Sequence, residues 1–164
     1  MSTAKDKSPV TPATRLLNSL KVPYQELFYD FVEKGGTSHL AKELNLDEHA
    51  VVKTLIFETD AKKPLVVLMH GDRSVSTKNL ARILGVKTVA PCDPAQAERN
   101  SGYRVGGTSP FGTRKAMPIY VEKTILDLPR IYINGGHRGF ILDMAPADLV
   151  TVLKPTPVEV AICE

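Results

Sequence analysis

Two apolar runs in the middle of the chain constrain its fold more than any other feature. They lie on either side of the polar tetrapeptide Asp60-Ala61-Lys62-Lys63 and predict strands over Val52–Glu58 and Pro64–His70. The second run is continuously apolar from Leu65 to Met69, the pattern of a strand covered on both faces rather than one alternating between core and water. The tetrapeptide suits a hairpin loop. A hairpin of this kind needs material above and below it, so the remaining segments must supply a wider sheet and covering helices.

Local signals place those segments. Thr11-Pro12 is an N-cap followed by proline at the first helical position, and Ala13, Leu16, Leu17 and Leu20 then fall on one helical face. Tyr24 to Phe31 reads as extended. Thr37 is expected to cap a helix carrying Leu40, Ala41 and Leu44, and Asp47 a short helical turn. Thr77 to Leu84 reads as a helix with Leu80, Ile83 and Leu84 inward and Gly85 just past its end. Val86 to Ala90 is a short strand, and Asp93-Pro94 repeats the cap-then-proline device. Further strands are expected at Met117–Val121, Arg130–Ile133, Phe140–Asp143 and Val158–Ile162, with a helix over Ala147–Leu153. Strands and short helices interleave without a repeating βα unit. The prediction is a mixed α/β fold with a barrel-like mixed β-sheet and short helices packed outside it.

At 164 residues the chain is expected to form one domain over residues 11–164, with residues 1–10 a disordered lead-in. A domain of this size buries roughly 70% of its unfolded surface and needs no disulfide or metal staple. No run approaches the ~20 apolar residues of a bilayer span. The first residues are polar, without the apolar stretch of a secretory signal. Cys92 and Cys163 show no disulfide-framework or CxxC spacing. Together these features point to the cytoplasm. A net charge of +3 permits nucleic acid as a partner without showing a dedicated basic stripe.

Glycine marks the candidate site. Ser101 to Gly112 holds four of the eleven glycines, and Asn134-Gly135-Gly136-His137-Arg138-Gly139 holds three more. Two such knots beside strand-like runs suggest a site built from main-chain groups, although a tight turn around Ser109-Pro110 and Gly112 is the competing reading. Gly102 and Gly107 stand at Walker A spacing, but Thr108-Ser109 follow where lysine is required, and no GxGxxG is present. His39, His49, His70 and His137 are scattered, without zinc spacing, so no metal or other cofactor is expected. Cys92 precedes a helix start that can lower a thiol pKa, yet no histidine lies near it in sequence, and no GxSxG elbow exists. What remains is Lys53, one charge inside an apolar run. It is either an edge lysine reaching to water or a cation facing a pocket. In the second case the N–H groups of Gly106, Gly107 and Thr108 are expected to line the opposite wall as oxyanion donors.

Val52-Lys53-Thr54-Leu55, the Gly106-Gly107-Thr108-Ser109-Pro110-Phe111-Gly112 knot and the Gly135-Gly136-His137-Arg138-Gly139 knot resemble the YbaK/EbsC family, from about Thr11 to Leu153. These proteins are free-standing relatives of the editing domain inserted in bacterial prolyl-tRNA synthetases. The resemblance implies hydrolysis of mischarged Cys-tRNA(Pro) without metal, with the 3′ end of tRNA(Pro) and prolyl-tRNA synthetase as partners. It also implies roles for Lys53 in positioning the aminoacyl-adenosine end, for Gly106 in meeting the substrate carbonyl, and for Tyr29 as a pocket tyrosine. The remainder of the motifs, Gly107, Thr108, Ser109, Pro110, Gly135 and Gly136, would complete the substrate-binding surface. In that branch the substrate's own thiol attacks its ester and leaves as a cyclic thiolactone, a lyase-like step that needs no enzyme nucleophile. Some relatives carry an acidic residue where this chain has Phe140-Ile141-Leu142, and Asp143 is given no role. Two alternatives stay open: a deacylase for Ala-tRNA(Pro) or another small aminoacyl-tRNA, and a non-catalytic module that binds tRNA ends or a synthetase.

Overall fold

The computed structural model describes residues 8–163, so residues 1–7 of the expected lead-in lie outside it. Five helices and ten strands follow in the order α1 (Pro12–Ser19), β1 (Gln25–Phe28), α2 (Gly36–Leu44), β2 (Val51–Thr59), β3 (Pro64–His70), β4 (Arg73–Val75), α3 (Thr77–Leu84), β5 (Val89–Pro91), α4 (Pro94–Ser101), β6 (Ile119–Glu122), β7 (Ile131–His137), β8 (Phe140–Met144), α5 (Pro146–Leu153), β9 (Thr156–Val158) and β10 (Ala161–Cys163).

The expected hairpin is the centre. β2 pairs antiparallel with β3 from Val52 opposite His70 to Glu58 opposite Pro64. Around it the main sheet runs β1-β8-β7-β2-β3-β6-β9, with β5 pairing a second stretch of β2. The sheet is mixed: β7 runs parallel to β2, and β6 parallel to β3. Its path has two ends, β1 and β9, so the barrel likeness stops short of closure among the described residues. Alternation along β3 sends Val66 and Leu68 to one core with Ala13, Leu17, Phe111 and Phe140, and Val67 and Met69 to another with Leu80 and Val160. This is the two-faced burial that the run from Leu65 to Met69 predicts.

Helix starts follow the local chemistry. The Thr11 hydroxyl accepts from Thr14 N–H while Thr14 Oγ1 accepts from Thr11 N–H, a closed capping box. Asp93 accepts from Gln96 N–H at the start of α4, and Gly85 ends α3 with φ +69°. Thr37 differs from expectation. It lies inside α2, and its hydroxyl donates to Glu48 Oε2 at 2.7 Å, because Gly35 already stands at the helix start. Leu20 and Ile83, expected inward, are about half exposed. Leu20 falls just past the end of α1, and α3 buries Leu80 and Ala81 instead.

Three differences concern strands. β4 has no clear pattern in sequence and pairs with β10 as a separate ribbon. The segment expected as one strand over Val158–Ile162 divides between the main sheet and that ribbon. β7 does not stop at Ile133 but continues through the second glycine knot, with a register irregularity between Asn134 and His137. A side chain at Gly135 would meet the Phe140 ring at 2.6 Å, so glycine lets the strand cross that ring. No helix among the described residues is long and apolar enough to cross a membrane.

The Thr11 hydroxyl also donates to Gly135 O at 2.6 Å, tying α1 to the second knot. Thr11→Ala removes both the cap and this buried bond and is expected to cost about 1–2 kcal/mol in denaturant unfolding. Thr11→Ser keeps the oxygen and should recover most of that loss; an equal loss in both variants would show that the methyl group, not the hydroxyl, matters.

Candidate active site

The site originates in a fork of the sheet. β2 is nine residues long, and two strands share one of its edges, each pairing with only part of it. β7 pairs with Val51 and Val52, and β5 pairs with Phe57 to Thr59. Cys92 N–H extends the second pairing by donating to Ile56 O at 3.0 Å. Between them the edge is open from Lys53 to Leu55. Gly71 N–H donates to Val51 O, and Thr59 N–H donates to Lys63 O, so odd-numbered residues turn their main chain toward β3. By alternation the main chain of Thr54 faces the opening. The Thr54 hydroxyl oxygen is buried there without a hydrogen-bond partner.

A cleft of about 770 Å³ occupies the fork and passes to both sides of β2. Phe31, Leu40, Val52, Leu55, Ile56, Phe57, Cys92 and Ile141 make its walls largely apolar. Lys53 lines it, half-buried, beside the open edge. Tyr29 lines it from the segment after β1, where its N–H donates to Gly139 O, and burial pushes its phenol pKa above the ordinary value. The tyrosine is therefore a neutral group near pH 7.

Gly106 and Thr108 close the cleft from the first glycine knot. Gly106 adopts φ +90°, and a side chain there would lie 2.8 Å from the Phe31 ring. Asn134 holds both knots: its Nδ2 donates to Gly106 O at 3.1 Å, and its Oδ1 accepts from Gly136 and His137 N–H. Arg138 adds a second fastening. Its guanidinium lies 4.6 Å from the centre of the Phe31 ring, Nε donates to Val105 O at 2.8 Å, and an amino group reaches Glu33 at 3.3 Å. Three segments distant in sequence thus form one wall. With its carbonyl held by Asn134, Gly106 keeps an N–H that makes no hydrogen bond among the described residues.

Of the residues singled out from sequence, Tyr29, Lys53, Gly106 and Thr108 line this cleft. Gly107 does not serve as the expected donor. Its N–H closes a turn by donating to Arg104 O at 2.8 Å, and a side chain there would strike the main chain of His137 and Arg138. Ser109 and Pro110 are buried beneath the knot, where the Ser109 hydroxyl accepts from Phe111 N–H. Gly135 packs on Phe140 behind the wall, and Gly136 borders a second, smaller recess. Thr54, Phe31, Asn134, Cys92 and Arg138 line the cleft without having been singled out as substrate-binding residues. Asp143 lies elsewhere, accepting from Arg130 Nε at 2.7 Å.

Two expectations need correction. Cys92 stands next to the cleft, but burial and the nearby carboxylates of Glu58 and Asp93 push its thiol up to about 11. The helix start does not make it a thiolate. The histidines are not all scattered: the rings of His49 and His70 stack at 3.7 Å, and His49 Nδ1 lies 2.8 Å from Asp72. His70 is buried, donating from Nδ1 to His49 O and accepting at Nε2 from the Thr124 hydroxyl, both at 2.6 Å. With both ring nitrogens engaged and the rings nearly parallel, the cluster suits a structural stack better than cation coordination.

Residues 34–152 match the family described as the aminoacyl-tRNA editing domain, and the chain belongs to that family. Within it, the chain belongs with the YbaK/EbsC proteins, as its motifs indicate. It is 28% identical over 143 residues to EbsC of Enterococcus faecalis, covering 87% of each chain; that protein's name proposes a Cys-tRNA(Pro)/Cys-tRNA(Cys) deacylase. It is 29% identical over 119 residues to a proline--tRNA ligase of Lactobacillus helveticus, of which it spans 20%. The fold matches a solved structure of a proposed trans-editing enzyme for prolyl-tRNA synthetase (TM-score 0.80, 17% identity, 94% of this chain and 99% of that one).

The buried His70 stack has a pH consequence. Desolvation, only partly offset by the bond to His49 O, holds the His70 pKa below the ordinary 6.5. The unfolded chain then binds the extra proton first, so this stability is full above about pH 6.5 and is lost as pH falls through the folded value. Unfolding midpoints measured between pH 7.5 and 5.5 should fall, and the fall should flatten in His70→Gln; an unchanged slope would remove His70 as its source.

Proposed function

We propose that the protein is a trans-editing deacylase that clears Cys-tRNA(Pro), with the aminoacyl-adenosine end of the tRNA held in the cleft at the β2 fork. The observation that carries this reading is the meeting of Lys53, Tyr29 and the unengaged Gly106 N–H around one apolar volume. A cleft of about 770 Å³ lies within the usual range for small-molecule sites. Family membership and the relatives named for cysteinyl-tRNA deacylation and proline--tRNA ligation support the substrate class.

In this reading the Gly106 N–H donates to the ester carbonyl oxygen and stabilises the charge that develops on it. Lys53 positions the aminoacyl-adenosine end, and Tyr29 donates as a neutral phenol. The substrate thiol attacks its own carbonyl carbon: a C–S bond forms, the C–O bond to the ribose breaks, and the thiol proton ends on the released ribose hydroxyl. The cyclic thiolactone leaves and is hydrolysed by water. A free thiol near pKa 8.5 is a few per cent thiolate at neutral pH and a strong nucleophile, so the reaction does not call on the protonated Cys92. Prolyl-tRNA synthetase is the implied partner, since proline--tRNA ligases contain a segment similar to this chain.

The test is loss of ester-linked amino acid from Cys-, Ala-, Ser- and Pro-tRNA(Pro). The cysteinyl ester should be lost fastest and the seryl ester slowly, because a hydroxyl is a far weaker nucleophile than a thiol. Lys53→Ala should remove most of the rate. Preferential loss of the alanyl ester would favour the alanine-specific alternative, and decay equal to the enzyme-free control for all four would leave only a binding module. Gly106→Ala, forced against the Phe31 ring, should lower kcat/KM more than tenfold; wild-type turnover in that variant would exclude Gly106 as the carbonyl contact.

A further inference from the structure

The first glycine knot has a second side. Behind the Gly106–Gly107 ribbon lies a recess of about 270 Å³, bordered by Arg104, His137, Arg138 and the glycines at 102, 107 and 136. Arg138 borders both this recess and the cleft, and Gly106 and Gly107 face one each. At Gly107 the two knots touch main chain to main chain, with Arg138 N 2.9 Å from the position a Cβ would take. The wall between the two spaces is one strand of backbone thick.

Pro9, Val10, Pro12 and Tyr103 make one side of the recess apolar, and Arg104 and Arg138 make the other side basic. Arg104 is exposed, and its guanidinium makes no hydrogen bond or ion pair among the described residues. His137 is exposed, and its Nδ1 donates to Arg138 O at 2.8 Å, which holds the ring at the border of the recess. No carboxylate borders the recess among the described residues: Glu98 accepts from Val105 N–H, and Glu33 pairs with Arg138. Gly102 and Gly136 border it with φ +82° and +101°, left-handed conformations that favour glycine, and at Gly136 a side chain would strike the Tyr103 ring at 2.7 Å.

We infer that this recess receives the sugar-phosphate backbone just upstream of the terminal adenosine of a tRNA, with Arg104 against a phosphate. The inference rests on the reading of the cleft as an aminoacyl-ester site. A single strand whose last nucleoside occupies the cleft must leave it over one rim. Crossing the Gly106–Gly107 ribbon takes the strand past Arg138 into a recess bordered by the unengaged Arg104 guanidinium. Phosphate contacts of this kind position a strand without reading its bases, so the recess takes any RNA ending in CCA rather than one tRNA.

Fluorescence anisotropy with a 5′-labelled RNA oligonucleotide ending in CCA tests this in a salt series, independently of any turnover. The wild-type protein should bind with an affinity that falls with salt. Arg104→Glu should weaken binding at least fivefold in 50 mM KCl and make the plot of log K against log salt shallower by about 0.7, the single-strand value for one phosphate. Arg82→Glu, an equal charge change on the exposed face of α3, should leave the affinity within twofold. The inference is overturned by an Arg104→Glu variant with wild-type affinity and slope, by an equal loss in Arg82→Glu, or by no binding to the wild-type protein. Failure of the proposed reaction reads differently: no ester is deacylated while oligonucleotide binding still depends on Arg104.

Discussion

The unpaired stretch of β2 edge from Lys53 to Leu55 is the constraint on which the rest of the site depends. A strand in the middle of a sheet ordinarily has both edges satisfied, because a buried main-chain N–H or C=O without a partner is costly. Here β7 and β5 reach β2 from opposite directions and stop short of one another. The gap leaves the main chain of Thr54 facing the opening and a buried Thr54 hydroxyl without a partner. It also explains how Lys53 is tolerated within the most apolar part of the fold. The lysine stands in a central strand, half-buried, where that strand has an open edge and where it lines the cleft.

The opposite wall answers a different problem, that of holding irregular backbone still. Glycine-rich segments lose much conformational entropy on ordering, and a carbonyl contact must not drift if it is to stabilise developing charge. Asn134 and Arg138 supply the order. One amide side chain bonds three main-chain groups across both knots, and one guanidinium joins the Phe31 segment, Val105 and Glu33. The glycines at 106 and 107 have separate reasons to lack side chains, the Phe31 ring for the first and the His137–Arg138 main chain for the second.

Local features were legible in the sequence. The capped starts at Thr11-Pro12 and Asp93-Pro94, the left-handed end at Gly85 and the hairpin around residues 60–63 each depend on a few adjacent residues, and each is present. Gly106 was one of a glycine cluster and was singled out from its neighbours by the family resemblance alone, whereas Lys53 stood out because it breaks the apolar pattern around it. The fork did not, because it arises where two strands, one before and one after the first knot, fall short on the same edge, and no local pattern encodes how far a partner extends. The His49–His70 stack was missed for the same reason, its members being brought together by pairing rather than by spacing. At Gly107 the residue type was informative and the role was not, since which N–H a turn consumes depends on its conformation.

The division of the cleft between separate segments has an evolutionary consequence. In the proposed function the residues assigned to the ester come from β2 and the first knot, whereas Leu40, Cys92 and Ile141 reach the same cavity from α2, the segment just before α4, and β8. None of these three takes part in the Asn134 or Arg138 fastenings. Substitutions at such positions can reshape the apolar lining while the carbonyl contact stays in register. A fold arranged in this way can diversify toward new side chains without rebuilding its reaction centre.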